Sequence, residues 1–142
     1  NAPTALETYQ TVGAINGRTS LSPAEREVIQ ITAARRNECD FCVAGHTKLS
    51  LKALKLDEKL VEDLRAVNPL DDPKLNALAR FTLALIDQRG QVSDEQLNEF
   101  LAAGYGEQQV LEAVLGVSLA TLCNYANNVA QTLINPELQE FA

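Results

Sequence analysis

Apolar residues recur at intervals of three and four positions through most of this 142-residue chain. Such spacing aligns apolar side chains along one side of an α-helix, whereas a half-buried strand requires strict alternation. The segment from Glu107 to Ile134 shows the spacing most clearly, at Val110, Leu111, Val114, Leu115, Leu119, Leu122, Tyr125, Ala126, Val129 and Leu133. The pattern predicts an all-α fold, with this long helix either central or shared with another subunit because it is apolar around much of its girth.

Composition favours the same fold class, since Leu and Ala supply 40 of the 142 residues whereas Val and Ile supply 15. Leu and Ala lose little on entering a helix, and β-branched residues favour strands. The length is typical of one domain with its own core. We therefore expect residues 1–142 to form a single all-α domain of about six helices.

Capping and stop signals set the boundaries of the predicted helices. Ser22, Pro23 and Glu25 make a strong start, because they supply a capping box and a proline in the first turn. Segment 2–15 has the pattern of the second half of a helix. Further helices are predicted over residues 23–36, 39–54, 57–67, 73–90, 93–104 and 107–134, with Pro136 blocking continuation of the last.

The net charge of −7 argues against several classes of partner. An acidic chain repels the phosphates of nucleic acids and of anionic membranes. Three cysteines in a chain of this length do not make a secreted disulfide framework. We expect a cytoplasmic protein that binds neither nucleic acid nor membrane. Because the chain begins at Asn1 and contains no Met, we also expect its natural start to lie upstream.

The residues that carry chemistry form the pattern Cys-x-x-Cys-x-x-x-His at Cys39, Cys42 and His46. On a helix these three side chains share one face. The first turn has free N–H groups and the positive end of the helix dipole, which favour thiolate over thiol. His46 can accept the thiol proton, so Cys42 is a candidate nucleophile. Cys39, one turn earlier, is placed to close a disulfide on it.

A carboxylate is expected to join this group. Glu27 lies on the apolar stripe of the preceding helix, where a charged side chain needs a partner. A short turn connects the two helices, so they should pack against each other. We predict that Glu27 orients His46, directly or through a water, and exchanges a proton with it.

Other interpretations of the same residues stay open. Cys39, Cys42 and His46 supply three zinc ligands, with Glu27 or Cys123 as a fourth, although structural zinc sites usually use two separated pairs. The cysteine pair is also compatible with inert packing. We interpret Cys123 as core packing. The last helix also carries three asparagines, which either line a pocket, make subunit contacts or form a polar face: Asn124, Asn127 and Asn128.

The spacing of Glu27, Cys39, Cys42 and His46 resembles the signature of the AhpD-like branch of the carboxymuconolactone decarboxylase superfamily. The resemblance extends over about residues 21–51 and implies an all-α fold that assembles into trimers or hexamers. In that branch the second cysteine reacts with an organic hydroperoxide, the first resolves it as a disulfide, and Glu and His relay protons. By position, Cys42 is peroxidatic, Cys39 is resolving, and Glu27 and His46 form the relay.

The resemblance also implies no bound cofactor or metal and an external dithiol reductant, which is a lipoylated carrier protein in the best-known case. Phe41 is a departure, because some peroxidase members have a second histidine there. The decarboxylase branch lacks the cysteine pair and fits poorly. We expect a thiol-dependent hydroperoxide reductase. The alternatives are a general disulfide oxidoreductase or redox sensor with little peroxide turnover, and a zinc-stabilised non-catalytic protein.

Overall fold

The structure is a computed structural model that describes residues 2–142. Over these residues it contains seven α-helices and no strand. The helices are α1 (Pro3–Asn16), α2 (Pro23–Arg36), α3 (Asp40–Lys48), α4 (Glu58–Ala66), α5 (Pro73–Asp87), α6 (Asp94–Ala102) and α7 (Glu107–Ala130). A π-helical turn, Leu49–Ala53, continues α3, and a 3-10 turn, Pro136–Phe141, follows α7. The predicted all-α fold is confirmed, and each of the seven predicted helical segments corresponds to one α-helix.

The predicted helix starts agree closely with the structure. Both Ser22 and Ser93 accept a hydrogen bond from the third residue of the helix that follows and close full capping boxes. The predicted end of the last helix at Ile134 is wrong, because α7 stops at Ala130 and Gln131 adopts a left-handed conformation, with φ of 51°. Thr132 is β-branched and disfavours a helix, and Pro136 keeps the preceding residue extended.

Helix α2 lies at the centre of the fold and contacts α3, α4, α5 and α7. Val28, Ile29 and Ile31 are at most 1% exposed and belong to the main core. The polar Gln30 is buried beside them and donates from its amide to the carbonyl oxygen of Gly116 on α7, at 3.0 Å. A Cβ at Gly116 would lie 3.0 Å from a methyl group of Ile29, so glycine permits this close approach of the two helices.

Helix α7 buries only one of its sides in the single chain. Glu112, Gly116 and Asn124 are on its buried side, while Leu111 and Val129 are 71% and 86% exposed. It is the one helix within residues 2–142 whose length and composition would suffice to cross a membrane. Its packing against α1, α2, α3 and α5 is that of a helix of the domain, and its outer side leaves apolar surface uncovered.

Glu112 joins the start of α7 to the loop before α2. Its carboxylate accepts hydrogen bonds from the backbone N–H and the hydroxyl of Ser20, at 2.5 and 2.8 Å, and from the amide of Gln108, at 2.6 Å. Burial acts to raise the pKa of Glu112, but these hydrogen bonds outweigh it and the pKa is lowered. The contact thereby stabilises the orientation of α7 relative to α2.

We predict that Glu112→Ala lowers the free energy of unfolding by about 1–3 kcal/mol, because it leaves the Ser20 donors without a partner. Because the folded-state pKa is lowered, the contribution of Glu112 is complete at neutral pH and declines as the pH falls below the ordinary value of 4.5. Urea denaturation followed by circular dichroism at pH 7 and pH 3.5 measures both effects. Glu62→Ala, at an exposed carboxylate of α4, is the control, and an equal loss in both variants would contradict the prediction.

Candidate redox site

The turn between α2 and α3 places both motif cysteines at the start of α3. Glu38 is left-handed, with φ of 55°, and its N–H bonds to the Arg35 carbonyl at 3.2 Å. The Cys39 N–H then bonds back to the Ala34 carbonyl at 2.9 Å. These two bonds form the Schellman motif that commonly ends a helix. Since Cys39 is also the N-cap of α3, one residue closes the first helix and begins the second.

Cys39 and Cys42 form a disulfide whose Cα atoms are 5.3 Å apart, within the usual range for such a bond. Both residues are buried, at 1% and 4% exposure, and they pack with Ala34 and Val43. The Cys39 sulfur also accepts a hydrogen bond from the Cys42 N–H, at 3.3 Å. The bridge therefore spans the first turn of α3, where backbone N–H groups lack helical partners.

His46 and Glu27 form a second pair that joins α3 to α2. His46 Nδ1 and Glu27 Oε2 are 2.7 Å apart, so the predicted contact is direct. The Glu27 side chain is 8% exposed and that of His46 is 25% exposed. Because Nδ1 donates to the carboxylate, Nε2 is the basic nitrogen of the neutral ring. His46 lies one turn beyond Cys42, and Glu27 determines which ring nitrogen can exchange a proton.

Asn127 on α7 is a site residue that the sequence did not single out from its neighbours. Its Nδ2 donates to the backbone oxygen of Cys123 at 2.9 Å, which fixes the amide group. The same nitrogen lies 3.4 Å from the Cys123 sulfur and 3.7 Å from the Cys42 sulfur. Its second hydrogen is therefore positioned between two sulfur atoms, one of which belongs to the disulfide.

Asn124 and Asn128 have a different role, because both bind the turn that precedes the motif. Asn124 Oδ1 accepts from the Asn37 side chain at 3.1 Å, and Asn128 Nδ2 donates to the Asn37 backbone oxygen at 2.8 Å. Asn37 is the C-cap of α2. The three asparagines of α7 thus divide between holding the α2–α3 turn and contacting the sulfurs.

Cys123 lies at the edge of the site and is only partly buried. It packs against the cluster that contains both disulfide cysteines. Its packing role, which the sequence predicted, is therefore in the cluster around the disulfide. Burial raises the pKa of the Cys123 thiol more than hydrogen bonds from Tyr9 and Asn127 lower it, so the neutral thiol is favoured. The phenol of Tyr9 has a raised pKa, first through burial and then through Cys123 and Glu27, which places α1 beside the same group.

The zinc interpretation has no assembled ligand set in this structure. Among residues 2–142, no three His, Cys, Asp or Glu side chains converge in a way that could hold a metal ion. The sulfurs of Cys39 and Cys42 are bonded to each other, and the Cys123 sulfur accepts a hydrogen bond from the Asn127 amide at 3.4 Å. The arrangement brings together a disulfide, an imidazole–carboxylate pair and an amide donor, which are parts suited to reversible thiol chemistry.

Solved structures with the same fold include three bacterial proteins. An uncharacterized peroxidase-related protein from Silicibacter sp. TM1040 has a TM-score of 0.82 and 19% identity, covering 96% of this chain and 74% of its own. A protein of unknown function from Agrobacterium tumefaciens, described as a candidate antioxidant defence protein AhpD, has a TM-score of 0.84 and 15% identity, covering 94% and 92%. A peroxidase-related protein from Ralstonia eutropha JMP134, described as an alkylhydroperoxidase AhpD core, has a TM-score of 0.84 and 19% identity, covering 96% and 73%.

At these identities the structural likeness establishes the AhpD-like fold. No curated protein sequence matches the chain significantly. The sequence profile of the carboxymuconolactone decarboxylase family matches residues 3–84, a span of more than half the chain that contains Glu27, Cys39, Cys42 and His46. The chain therefore belongs to the carboxymuconolactone decarboxylase family.

Proposed function

We propose that this protein is a thiol-dependent hydroperoxide reductase with an antioxidant role. The observation that carries the proposal is the Cys39–Cys42 disulfide at the start of α3, one turn from an imidazole that a buried carboxylate orients. The AhpD-like fold and the family membership support the same chemistry. The catalytic residues are Cys42, Cys39, His46 and Glu27.

The first step takes place at Cys42. Its thiolate attacks one oxygen of the hydroperoxide, the O–O bond breaks, and the leaving oxygen departs as an alcohol after it takes up a proton. Protonated His46 supplies that proton and returns to the neutral form that Glu27 orients. Sulfur is oxidised to a sulfenic acid and the peroxide is reduced by the same two electrons.

The second step uses Cys39, which is already within bonding distance of its partner. Its thiol condenses with the Cys42 sulfenic acid, forming the disulfide and releasing water. An external dithiol then reduces the bridge by thiol–disulfide exchange and leaves as its own disulfide. Each cycle thus converts one hydroperoxide and one dithiol into an alcohol, water and an oxidised donor.

Two observations favour Cys42 over Cys39 as the residue that meets the peroxide. Cys42 lies inside the first turn of α3, where the helix dipole stabilises a thiolate, and its sulfur has the Asn127 amide as a hydrogen-bond donor. Cys39 is the N-cap and receives its hydrogen bond from the Cys42 backbone instead. A donor from outside the motif and a histidine one turn further along α3 thus support Cys42 as the nucleophile, with Cys39 as the residue that closes the disulfide.

Phe41 is the residue that favours the alternative function, a general disulfide oxidoreductase or redox sensor with little peroxide turnover. Its side chain packs against two apolar clusters, one with the disulfide cysteines and one with Leu138 and Phe141, so it contributes packing where a second imidazole would supply a proton. His46 is the only histidine of the chain. Peroxide turnover therefore depends on the single His46–Glu27 pair.

The proposal includes a homo-oligomer, a trimer or hexamer, that is reduced by a dithiol such as a lipoylated carrier protein. The exposed apolar residues of α1 and α7 support the assembly, because the single chain leaves Leu6, Leu111 and Val129 more than half exposed. Apolar surface of this kind is usually covered by a partner.

We predict that Cys42→Ser abolishes consumption of cumene hydroperoxide in the presence of dithiothreitol, because no thiolate remains to attack the O–O bond. Reduced Cys39→Ser from which the dithiothreitol has been removed should complete one turnover and then stop at a Cys42 sulfenic acid, which a dimedone adduct detected by mass spectrometry would reveal. Cys123→Ser, at the third cysteine, serves as the matched control and should retain most of the turnover. Persistent turnover in Cys42→Ser would show that the nucleophile is wrongly assigned.

His46→Gln should slow peroxide turnover by about 100-fold or more, the usual contribution of a positioned acid–base group. The reason is that the leaving oxygen then lacks its proton donor. The readout is turnover from pH 5 to 9, and the ionisation attributed to the imidazole should disappear from the profile. Lys48→Gln, at the end of the same helix, is a control. An unchanged pH profile in His46→Gln would remove the imidazole from the mechanism.

Asn127→Leu should move the pH midpoint of Cys42 alkylation upward by about one unit. A hydrogen bond to a charged acceptor is worth about 1.5 kcal/mol, and about 1.4 kcal/mol corresponds to one unit. The measurement is the rate of iodoacetamide modification in the reduced Cys39→Ser/Cys123→Ser background. Asn128→Leu, one residue away and directed to the α2–α3 turn, is the control. Equal midpoints in the two variants would mean that Asn127 does not stabilise the thiolate.

A further inference from the structure

Helix α7 holds the α2–α3 turn at one residue, Asn37. Asn124 Oδ1 accepts a hydrogen bond from the Asn37 side chain at 3.1 Å, and Asn128 Nδ2 donates to the Asn37 backbone oxygen at 2.8 Å. Asn124 is 2% exposed, whereas Asn128 lies at the surface. We call these two hydrogen bonds the asparagine clamp. Because the clamp binds both the side chain and the backbone of Asn37, it fixes that residue relative to α7.

The clamp acts on Cys39 through a single intervening residue, Glu38. Glu38 is left-handed, with φ of 55°, a conformation that is unfavourable for a residue other than glycine. Release of Asn37 would let the turn relax toward commoner backbone conformations, and Cys39, which follows directly, would gain freedom to move. Cys42 is restrained separately, because it lies within α3 whereas Cys39 precedes that helix as its N-cap. The clamp therefore controls the freedom of one sulfur relative to the other.

This control matters most when both cysteines are reduced. In the oxidised protein the bond between the Cys39 and Cys42 sulfurs keeps them together, whereas after reduction only the fold does so. A fold that holds two thiols close raises their effective concentration toward each other, which favours the disulfide. Greater freedom of Cys39 in the dithiol form lowers that effective concentration and shifts the equilibrium toward the thiols.

We propose that Asn124 and Asn128 are positioning residues of the redox reaction, which keep the reduced Cys39 sulfur within reach of Cys42 by holding Asn37. Their role differs from that of Asn127, which contacts the sulfurs directly. The inference deepens the proposed function and rests on it, because a sulfenic acid has to be resolved only if Cys42 reacts with a peroxide.

In the proposed cycle the clamp favours the second step over a damaging competitor. In that step the Cys39 sulfur attacks the sulfur of the Cys42 sulfenic acid, the S–O bond breaks, and the hydroxyl group leaves as water with the Cys39 proton. In the competing reaction a second hydroperoxide oxidises the sulfenic acid to a sulfinic acid and is itself reduced to an alcohol. A Cys39 sulfur that is already in place makes the first reaction faster.

The first experiment measures the disulfide equilibrium in Asn128→Ala, in Asn124→Ala/Asn128→Ala and in the unmodified protein. Each is equilibrated without peroxide in mixtures of reduced and oxidised dithiothreitol, then alkylated, and mass spectrometry gives the fraction with the Cys39–Cys42 disulfide. The equilibrium constant for forming the disulfide should fall about threefold in the single variant and about tenfold in the double variant. A factor of three corresponds to about 0.7 kcal/mol, within the net contribution of one hydrogen bond.

Two control variants separate positioning from a general loss of stability. Asn98→Ala removes an exposed asparagine of α6 and should leave the equilibrium unchanged. Glu112→Ala loosens the start of α7 and should destabilise both redox forms equally. Since Asn128 is exposed, its single variant tests the clamp even if Asn124→Ala prevents folding. Equal equilibria in Asn128→Ala and Asn98→Ala, or a shift in Glu112→Ala as large as that in Asn128→Ala, would overturn the proposal.

The second experiment measures the consequence for the cycle. During consumption of cumene hydroperoxide with dithiothreitol, the Cys42 sulfinic acid formed per turnover should rise about threefold in Asn128→Ala and stay unchanged in Asn98→Ala. If no protein consumes hydroperoxide but the disulfide equilibrium shifts as expected, the proposed function is rejected and the clamp is supported. Normal consumption with an unshifted equilibrium rejects the clamp alone.

Discussion

The hydrogen bond from the Cys39 N–H to the Ala34 carbonyl is the contact on which the site depends. It closes α2 while Cys39 already caps α3, so the two helices are joined with no spare residue. The reversal needs a left-handed residue at Glu38, a conformation that costs a non-glycine residue about 1 kcal/mol or more. Packing of both helices offsets that cost, and the result is a cysteine pair held at a helix start.

The same reversal explains how a buried carboxylate is tolerated. Glu27 is 6% exposed, and an isolated buried charge is strongly unfavourable. Because α3 returns along α2, His46 reaches the Glu27 carboxylate at 2.7 Å. The pair therefore stabilises the helix packing and at the same time holds the imidazole one turn from Cys42. Because the same contact joins α2 to α3 and orients the imidazole, a substitution at Glu27 is expected to affect both the stability of the fold and the proposed chemistry.

The prediction from sequence was accurate where short-range physics decides the outcome. Capping boxes, the proline in the first turn of α2 and the Cys-x-x-Cys spacing each act within one or two helical turns, and they predicted the helix starts and the cysteine face. The helix ends were less accurate, because the end of α7 depends on how Gln131 and its neighbours meet the rest of the chain. Asn127 could not be separated from Asn124 and Asn128, since all three have the same local pattern.

By itself the sequence determined that the chain is helical, that both sulfurs of the Cys-x-x-Cys motif lie at one helix start, and that one imidazole follows a turn later, because these properties follow from local spacing. Tertiary structure decided which residues from distant segments join them. The packing of α7 on α3 brings the Asn127 amide to the sulfurs, and the meeting of α7 with the α2–α3 turn brings Asn124 and Asn128 to Asn37. Contacts of this kind depend on how whole helices pack against each other, and that information is distributed over the entire core.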